Sequence, residues 1–124
     1  MRVLLVEDNK DMLTTTAAIL RFEKYEVVTA LDGHVALEVA KLEPPDVVLL
    51  DIGLPKMDGY KLAQALRQLA TGRKLYIGAI TGYGTDSDKK RAAESGIDAH
   101  LVKPVHPLAI IQLLADFASR LQKD

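Results

Sequence analysis

Residues 46–59 read DVVLLDIGLPKMDG, and this stretch decides the fold class. An apolar run follows Asp46 and ends in a second acid, Asp51, after which glycine, proline and aspartate mark a turn. A continuous run of Val and Leu is typical of a strand that is covered on both faces, as in a parallel sheet. A carboxylate at the end of such a run lies at the rim of the protein or is held by a cation, because burying it alone is costly.

Similar apolar runs recur along the chain and predict a sheet of five strands. The predicted strands are residues 2–6, 26–30, 46–50, 75–80 and 100–102. Segments with helical spacing lie between them, with Asn9 and Asp58 as predicted N-caps and Pro107 in a first helical turn. The pattern is a strand followed by a helix, five times over. By the right-handed crossover rule, it predicts an α/β fold, with a doubly wound parallel sheet and helices on both faces.

The predicted helices have apolar residues spaced three or four apart, and these are expected to face the sheet. They are Leu13, Ala17 and Leu20 in the first helix; Val35, Val39 and Leu42 in the second, over about 33–42; Leu62, Ala65, Leu66 and Leu69 in the third; and Ile111, Leu114, Ala115 and Ala118 in the fifth. The fourth helix, over about 85–95, offers only Ala92 and Ala93 to the sheet, and Gly96 is predicted to end it.

Length and composition limit the function classes. A chain of 124 residues fits one domain, so residues 1–124 are expected to form a single domain, with input and output modules on other polypeptides. Sixteen basic and seventeen acidic side chains give a net charge of −1, which indicates neither nucleic-acid nor membrane binding. The absence of cysteine excludes disulfides and thiolate chemistry. The first apolar run is too short for a signal peptide, and a cytoplasmic location is expected.

Polar side chains stand at the predicted ends of four strands. Glu7 and Asp8 follow the first strand, Asp51 the third, Thr81 the fourth and Lys103 the fifth. Ligands of doubly wound sheets bind outside the carboxyl ends of the strands, so these residues are expected to meet. Three carboxylates brought together repel one another unless a cation neutralises them. Because Mg²⁺ binds one or two carboxylates together with water and phosphate oxygens, the sequence predicts a magnesium site here.

The same residues predict phosphoryl-transfer chemistry. Asp51 is a carboxylate nucleophile that could attack phosphorus and form an aspartyl phosphate. Transfer of a phosphoryl group depends on neutralising and orienting its oxygens. Lys103 offers a fixed positive charge for one oxygen and Thr81 a hydroxyl donor for another. We therefore regard Asp51, Thr81 and Lys103 as the candidate reactive set.

Four motifs carry a resemblance to a known family: VEDN at 6–9, LLDIGLPKMDG at 49–59, AITG at 79–82 and HLVKP at 100–104. Together, and in this order, they resemble the receiver domain of two-component response regulators, which is similar to the chemotaxis receiver in fold and size. The resemblance covers essentially the whole chain. It implies the flavodoxin-like receiver fold with sheet order 2-1-3-4-5 and five helices, and a cis peptide bond before Pro104.

The resemblance also implies a role for each site residue. Asp51 would accept a phosphoryl group from a histidine kinase or a histidine phosphotransfer protein. Asp8, Asp51 and the backbone carbonyl of Gly53 would bind Mg²⁺, with Mn²⁺ as a substitute, and Glu7 would act through metal-bound water. The protein would be a signalling switch and not an enzyme, apart from its own phosphorylation and dephosphorylation. It would be a monomer or a weak, phosphorylation-dependent dimer, and its partners could include other domains of a hybrid kinase.

Receivers switch a surface formed by the fourth helix, the fifth strand and the fifth helix. In the family, the phosphoryl group attracts the hydroxyl residue that corresponds to Thr81, and an aromatic side chain on the fifth strand turns inward. These contacts bias an equilibrium between two conformations of the domain. Here that position is His100, where the family usually has Tyr or Phe. Histidine is smaller and can carry charge near neutral pH. The basic residues Lys89, Lys90 and Arg91 in the fourth helix are interpreted as a solvated face, with a docking patch as the alternative.

Three other functions stay open at this point. A phosphatase acting through an aspartyl phosphate usually has a second acid two residues after its nucleophile, where this chain has Gly53. An FMN carrier of this fold needs a hydroxyl- and glycine-rich loop after the first strand, whereas VEDNKDM is acidic and would repel phosphate. A degenerate receiver serving as a scaffold would be expected to lack some of the acids, Thr81 or Lys103, and all of them are present.

Overall fold

The computed structural model describes residues 1–54, 57–82 and 86–122, with the backbone but not the side chains of residues 86–89. These residues form alternating strands and helices. The strands are β1 (Arg2–Val6), β2 (Glu26–Ala30), β3 (Val47–Asp51), β4 (Tyr76–Thr81) and β5 (Ala99–Val102); the helices are α1 (Lys10–Phe22), α2 (Gly33–Leu42), α3 (Gly59–Leu69), α4 (Asp86–Glu94) and α5 (Pro107–Gln122). None of the described helices is long and apolar enough to cross a membrane.

The strands form one parallel sheet in the order β2-β1-β3-β4-β5, which confirms the predicted fold class and strand order. Three strands begin or end one residue away from their predicted bounds. Asp51 pairs with Ile80, and Thr81 pairs with Val102, so both polar residues belong to the sheet. The backbone N–H of Ile52 also donates to the carbonyl of Ile80, at 3.0 Å. The hydrogen-bonded ladder therefore fixes the backbone directly beneath the polar strand ends.

The central strands are buried on both faces, and alternate residues enter two separate cores. Leu4, Val6, Val48 and Leu50 belong to the core that also contains residues of α2, α3 and α4. Val3, Leu5, Val47 and Leu49 belong to the core that contains residues of α1 and α5. The aromatic ring of Phe117 stacks on Tyr76 in this second core, with centroids 5.0 Å apart. Helices on both faces thus explain the continuous apolar runs of the strands.

The predicted sheet-facing stripe of α2 is wrong at two of its three positions. Val35 is exposed and Leu42 is 82% exposed, although Val39 does pack against the core. The buried residues of the helix are Gly33, Ala36 and Ala40. Small side chains are needed here because the backbone comes close to its neighbours. A Cβ atom at Gly33 would lie 2.8 Å from the sulfur of Met57.

The predicted sheet-facing stripes of α3, α4 and α5 are also wrong at some positions. In α3, Leu62 and Leu66 are buried as predicted, but Leu69 is exposed, and Tyr60 and Ala63 are buried in addition. The remaining differences are that Ala93 and Ala115 are exposed, that Ala65, Ile111 and Ala118 are only partly buried, and that Ile110 and Phe117 are buried. In α5, residues 110, 114 and 117 have the same helical spacing as the predicted set. Periodicity alone could not choose between the two stripes.

Helix ends agree with the sequence at each predicted cap. Asn9 accepts a hydrogen bond from the N–H of Met12 at 3.0 Å, and Asp58 accepts one from the N–H of Tyr60 at 2.8 Å. Gly96 follows α4 with a φ of +85°, a conformation that glycine adopts without steric cost. Asp58 thus fixes the start of α3 directly after the loop that follows Asp51.

Candidate functional site

Three carboxylates meet where β1 and β3 end. Carboxylate oxygens of Glu7, Asp8 and Asp51 all lie within 4.8 Å of one another. Glu7 and Asp51 are buried, at 8% and 6% exposure, whereas Asp8 is exposed to solvent. They meet because β1 and β3 are neighbours in the sheet, and because the N–H of Glu7 still bonds to Ala30 of β2 at 3.1 Å. The expected convergence of these acids is observed.

The electrostatics of this cluster favour a bound cation. Burial raises the pKa of Glu7, and the neighbouring acids Asp8 and Asp51 raise it further, against the opposing effect of the Asn9 N–H and of Lys103. The Asn9 N–H donates to the Glu7 carboxylate at 3.1 Å. Oxygen donors of this kind, with one exposed member open to water, match the preference of Mg²⁺. The chemistry of the donor set therefore fits a hard divalent ion.

Asp51 is held through both of its carboxylate oxygens. The ammonium nitrogen of Lys103 lies 2.8 Å from Oδ2, and the backbone N–H of Gly53 donates to Oδ1 at 2.9 Å. The hydrogen bond with Asp51 raises the pKa of Lys103, and burial opposes that rise. These two contacts fix the orientation of the Asp51 carboxylate.

Thr81 and Lys103 come from neighbouring strand ends. The backbone N–H of Lys103 donates to the carbonyl of Thr81 at 2.7 Å, which joins the segment after β5 to the end of β4. Together with Asp51, they line an open cleft of about 740 Å³. The described residues that line the cleft are Asp8, Asp51, Ile52, Gly53, Asp58, Tyr60, Thr81, Gly82, Arg91 and Lys103. The structure therefore brings all of the predicted strand-end residues except Glu7 to one cleft, and Glu7 lies beside Asp51.

The sequence did not indicate that Arg91 would lie at this cleft. The guanidinium of Arg91 on α4 lies 2.6 Å from Oδ2 of Asp58 and 4.2 Å from the ring centroid of Tyr60. The sequence indicated Asp58 as a helix cap and placed Arg91 on a solvated face. Only the packing of α4 beside the start of α3 brings the two together.

A second cavity, of about 480 Å³, borders the acids on the side of α1 and α5. Glu7, Asp51 and Lys103 form its polar wall, and Met12 and Val105 contribute to its apolar wall. Met12 is partly exposed at this cavity, and Leu108 is an exposed apolar residue of α5, the helix that lines the cavity through Ile110. An apolar surface thus lies directly beside the Asp51 carboxylate.

The other residues singled out in the sequence lie in or near these elements. His100 is a partly buried residue of β5, in register with Ala79. The Lys103–Pro104 peptide bond is cis, which is the conformation that the resemblance implies. Of the two other histidines of the chain, His34 is exposed, and His106 Nδ1 accepts the N–H of Leu108 at 3.1 Å. The turn residue Pro55 and the side chain of Lys89 lie outside the described residues.

Comparison with known proteins identifies the family. Residues 3–115 match the family model of the response regulator receiver domain. Because this match covers most of the chain, the protein belongs to the response regulator receiver domain family. The family is a class of signalling switches in two-component systems.

Individual relatives agree with this membership. The chain is 39% identical over 123 residues to the sensor histidine kinase RcsC of Salmonella typhi, and 36% identical over 104 residues to the response regulator PleD of Caulobacter vibrioides. These matches cover 99% and 84% of the chain, but only 13% and 23% of the two relatives. A solved receiver domain protein from Methanospirillum hungatei, described as CheY-like, superposes with a TM-score of 0.90 at 30% identity, covering 98% of this chain and 96% of that one.

Proposed function

We propose that this chain is a phosphoacceptor receiver domain in which Asp51 takes up the phosphoryl group. The observation that carries the proposal is the pair of contacts on Asp51, from Lys103 on one oxygen and from the Gly53 N–H on the other. Asp51 is also buried beside two further carboxylates and lines an open cleft. The arrangement suits a nucleophile that must be oriented toward an incoming phosphorus atom.

In the proposed reaction, a carboxylate oxygen of Asp51 forms a bond to phosphorus. The bond between phosphorus and the donor atom breaks, and its electron pair leaves with the donor. Lys103 stays beside the reacting carboxylate as a fixed positive charge. The hydroxyl of Thr81, at the cleft wall, donates to a phosphoryl oxygen. Both contributions neutralise and orient the oxygens of the transferred group, which is the main requirement of this chemistry.

A divalent ion would be held by this chain's own oxygens. The proposed ligands are the carboxylates of Asp8 and Asp51 and the backbone carbonyl of Gly53, with Glu7 acting through water. When bound, Mg²⁺, or Mn²⁺ in its place, supplies positive charge against the carboxylates and the phosphoryl oxygens. The crowding of three acids, and the direction in which it moves the pKa of Glu7, support this assignment.

The proposed donor is the phosphohistidine of a histidine kinase or of a histidine phosphotransfer protein. The apolar cavity beside Asp51, together with exposed Met12 and Leu108, offers a surface on which such a partner could bury apolar side chains next to the reacting atoms. The similarity to RcsC further supports a receiver that works with other domains of a hybrid kinase. In this proposal residues 1–124 form one cytoplasmic receiver domain, monomeric or in a weak, phosphorylation-dependent dimer, that binds neither nucleic acid nor membrane.

The proposed output is a change in the surface formed by α4, β5 and α5. Thr81 ends β4, which pairs with the strand of Asp51, and His100 lies in β5, on the other side of β4. Contacts of the phosphoryl group with Thr81 would favour one of two conformations of this surface, with His100 in the position of the aromatic switch. Apart from its own phosphorylation and dephosphorylation, the domain would catalyse no reaction.

The experiment that tests the proposal uses a small donor. Purified protein is incubated with acetyl phosphate, with Mg²⁺ or with a chelator, and its intact mass is recorded beside that of Asp51→Asn. We expect one added phosphoryl group that requires Mg²⁺ and is absent from the variant. Equal modification of Asp51→Asn would overturn the assignment of the acceptor.

A further inference from the structure

Arg91 joins two elements that carry the candidate site. It lies on α4, which follows the strand that ends in Thr81, and its Nη2 atom is 2.6 Å from Oδ2 of Asp58. Asp58 is the N-cap of α3 and uses its other oxygen, Oδ1, to accept the N–H of Tyr60 at 2.8 Å. The two carboxylate oxygens of Asp58 therefore make different contacts: Oδ1 caps the helix, and Oδ2 pairs with Arg91.

Arg91 lines the same cleft as the candidate nucleophile. Among the described residues that line the cleft, Lys103 and Arg91 carry positive charge, and Asp8, Asp51 and Asp58 carry negative charge. Lys103 is already engaged by Asp51 at 2.8 Å. Arg91 is engaged by Asp58, which takes no part in the proposed phosphoryl transfer. A phosphoryl group that enters the cleft would therefore meet two cations. Lys103 is paired with the candidate nucleophile, and Arg91 is paired with an acid that does not react.

The ion pair of Arg91 is weak enough to be shared. The side chains of Arg91 and Asp58 are 59% and 30% exposed, and ion pairs that are this open to solvent contribute little to stability. A guanidinium has five N–H donors in a fixed plane, so one that bonds to Asp58 can also bond to phosphate oxygens. The ring of Tyr60 stacks against this plane at 4.2 Å and holds it without using its donors.

We propose that Arg91 is a second anion-binding group of the phosphorylation site, and that Asp58 competes with the phosphoryl group for it. Arg91 would attract the donor and bind phosphoryl oxygens. It would do so from α4, whereas Lys103 reaches the cleft from the end of β5. This inference rests on the proposed function. With acetyl phosphate, a carboxylate oxygen of Asp51 bonds to phosphorus, the bond from phosphorus to the bridging oxygen breaks, and acetate leaves with the electron pair. Arg91 takes no proton in this step.

Two substitutions distinguish competition for Arg91 from a purely structural ion pair, because the two explanations predict different changes in the phosphorylation rate. Arg91→Gln removes the cation, and Asp58→Asn removes its competitor while keeping a side chain that caps helices equally well. If Arg91 binds the donor, Arg91→Gln slows phosphorylation and Asp58→Asn speeds it. If the ion pair only stabilises the contact between α4 and α3, both substitutions remove that ion pair and change the rate in the same direction.

The test measures the rate of phosphorylation against acetyl phosphate concentration, by intact mass, in saturating Mg²⁺. We expect Arg91→Gln to lower the apparent second-order rate constant about fivefold, Arg91→Lys to restore most of it, and Asp58→Asn to raise it about twofold. The gain from Asp58→Asn should shrink when Arg91→Gln is also present. Arg120→Gln is the matched control, because Arg120 also pairs with an aspartate, Asp116 at 3.1 Å, and lies over a tyrosine ring, Tyr76, at the opposite end of β4.

Two results separate the failure of this inference from the failure of the proposed function. If the wild-type chain is phosphorylated and Arg91→Gln reacts at the same rate, or if Arg91→Gln and Asp58→Asn change the rate in the same direction, the inference is wrong and the proposed function stands. If the wild-type chain gains no phosphoryl group and binds no beryllofluoride with Mg²⁺, both are wrong. A rate change in Arg120→Gln equal to that in Arg91→Gln would show an effect of net charge alone and would also overturn the inference.

Discussion

The ammonium nitrogen of Lys103 lies 2.8 Å from Oδ2 of Asp51, although 52 positions separate the two residues in the chain. They belong to the ends of β5 and β3, with β4 between them in the sheet. The bond from the Lys103 N–H to the Thr81 carbonyl holds the lysine across this gap. The sheet order and this hydrogen bond together bring a cation to the proposed nucleophile from a distant part of the sequence.

Substitution of Lys103 is expected to slow phosphoryl transfer while leaving metal binding in place. Lys103→Met keeps an unbranched side chain of similar length and removes its charge, and loss of one group that stabilises transition-state charge costs about 100- to 1,000-fold in rate. The rate of Mg²⁺-dependent phosphorylation by acetyl phosphate measures the effect. Lys74→Met, at an exposed lysine, serves as the control. An unchanged rate in Lys103→Met would contradict the role given to this lysine.

Mg²⁺ is expected to stabilise the folded chain. An ion that binds only the native state adds about 2.7 kcal/mol to the free energy of unfolding when its concentration is 100 times the dissociation constant. Thermal unfolding in increasing Mg²⁺ should therefore show a rising Tm, and chelator should reverse the rise. In Asp8→Asn, the rise should require much more Mg²⁺. The same rise in wild type and Asp8→Asn would show that the ion binds elsewhere.

Without a divalent ion, Glu7→Gln is expected to make the chain more stable at neutral pH. The folded state raises the pKa of Glu7, so the native chain binds this proton more tightly than the unfolded chain does. The free energy of unfolding therefore falls as pH rises from the ordinary carboxyl pKa, about 4.3, through the raised value. The gain from Glu7→Gln should appear above this window and vanish below it.

Urea unfolding in chelator at several pH values measures this effect. Glu94→Gln removes a carboxylate from an exposed position at the end of α4 and is the matched control. A gain in Glu7→Gln that persists unchanged at pH 3, or a gain of equal size in Glu94→Gln, would be inconsistent with the electrostatic explanation.

The observed packing of the helices predicts unequal costs for two Leu→Ala substitutions. Leu114 of α5 is fully buried, whereas Leu42 of α2 is 82% exposed. Leu114→Ala should lower the free energy of unfolding by about 2–5 kcal/mol because it leaves a cavity. Leu42→Ala should change it by no more than about 0.5 kcal/mol. Comparable losses in both variants would mean that α2 packs through the residues first expected from its periodicity.

The sequence predicted the elements and the acidic strand ends because local rules determine them. Continuous apolar runs required strands covered on both faces, and strand-end logic placed Glu7, Asp8 and Asp51 together. The stripe of α2 failed because large apolar residues were weighed more heavily than Gly33 and Ala36. Gly33 lies so close to Met57 that a larger side chain would not fit, and hydrophobicity does not report such an approach.

The contact of Arg91 with Asp58 could not be predicted from local sequence. Asp58 was correctly indicated as an N-cap, but a cap explains only one of its two oxygens. Arg91 stood in a basic cluster on a polar helix, which usually faces water. The pairing depends on where α4 lies relative to the start of α3, which local sequence rules do not determine.

The central claim is that Asp51 carries the phosphoryl group, and the most direct test locates the modified residue. Protein phosphorylated with acetyl phosphate and Mg²⁺ is treated with borohydride, which reduces an aspartyl phosphate to homoserine, and its peptides are sequenced by mass spectrometry. We predict homoserine at position 51. Homoserine at position 8, or a phosphoryl group retained on His34 or His106, would contradict it.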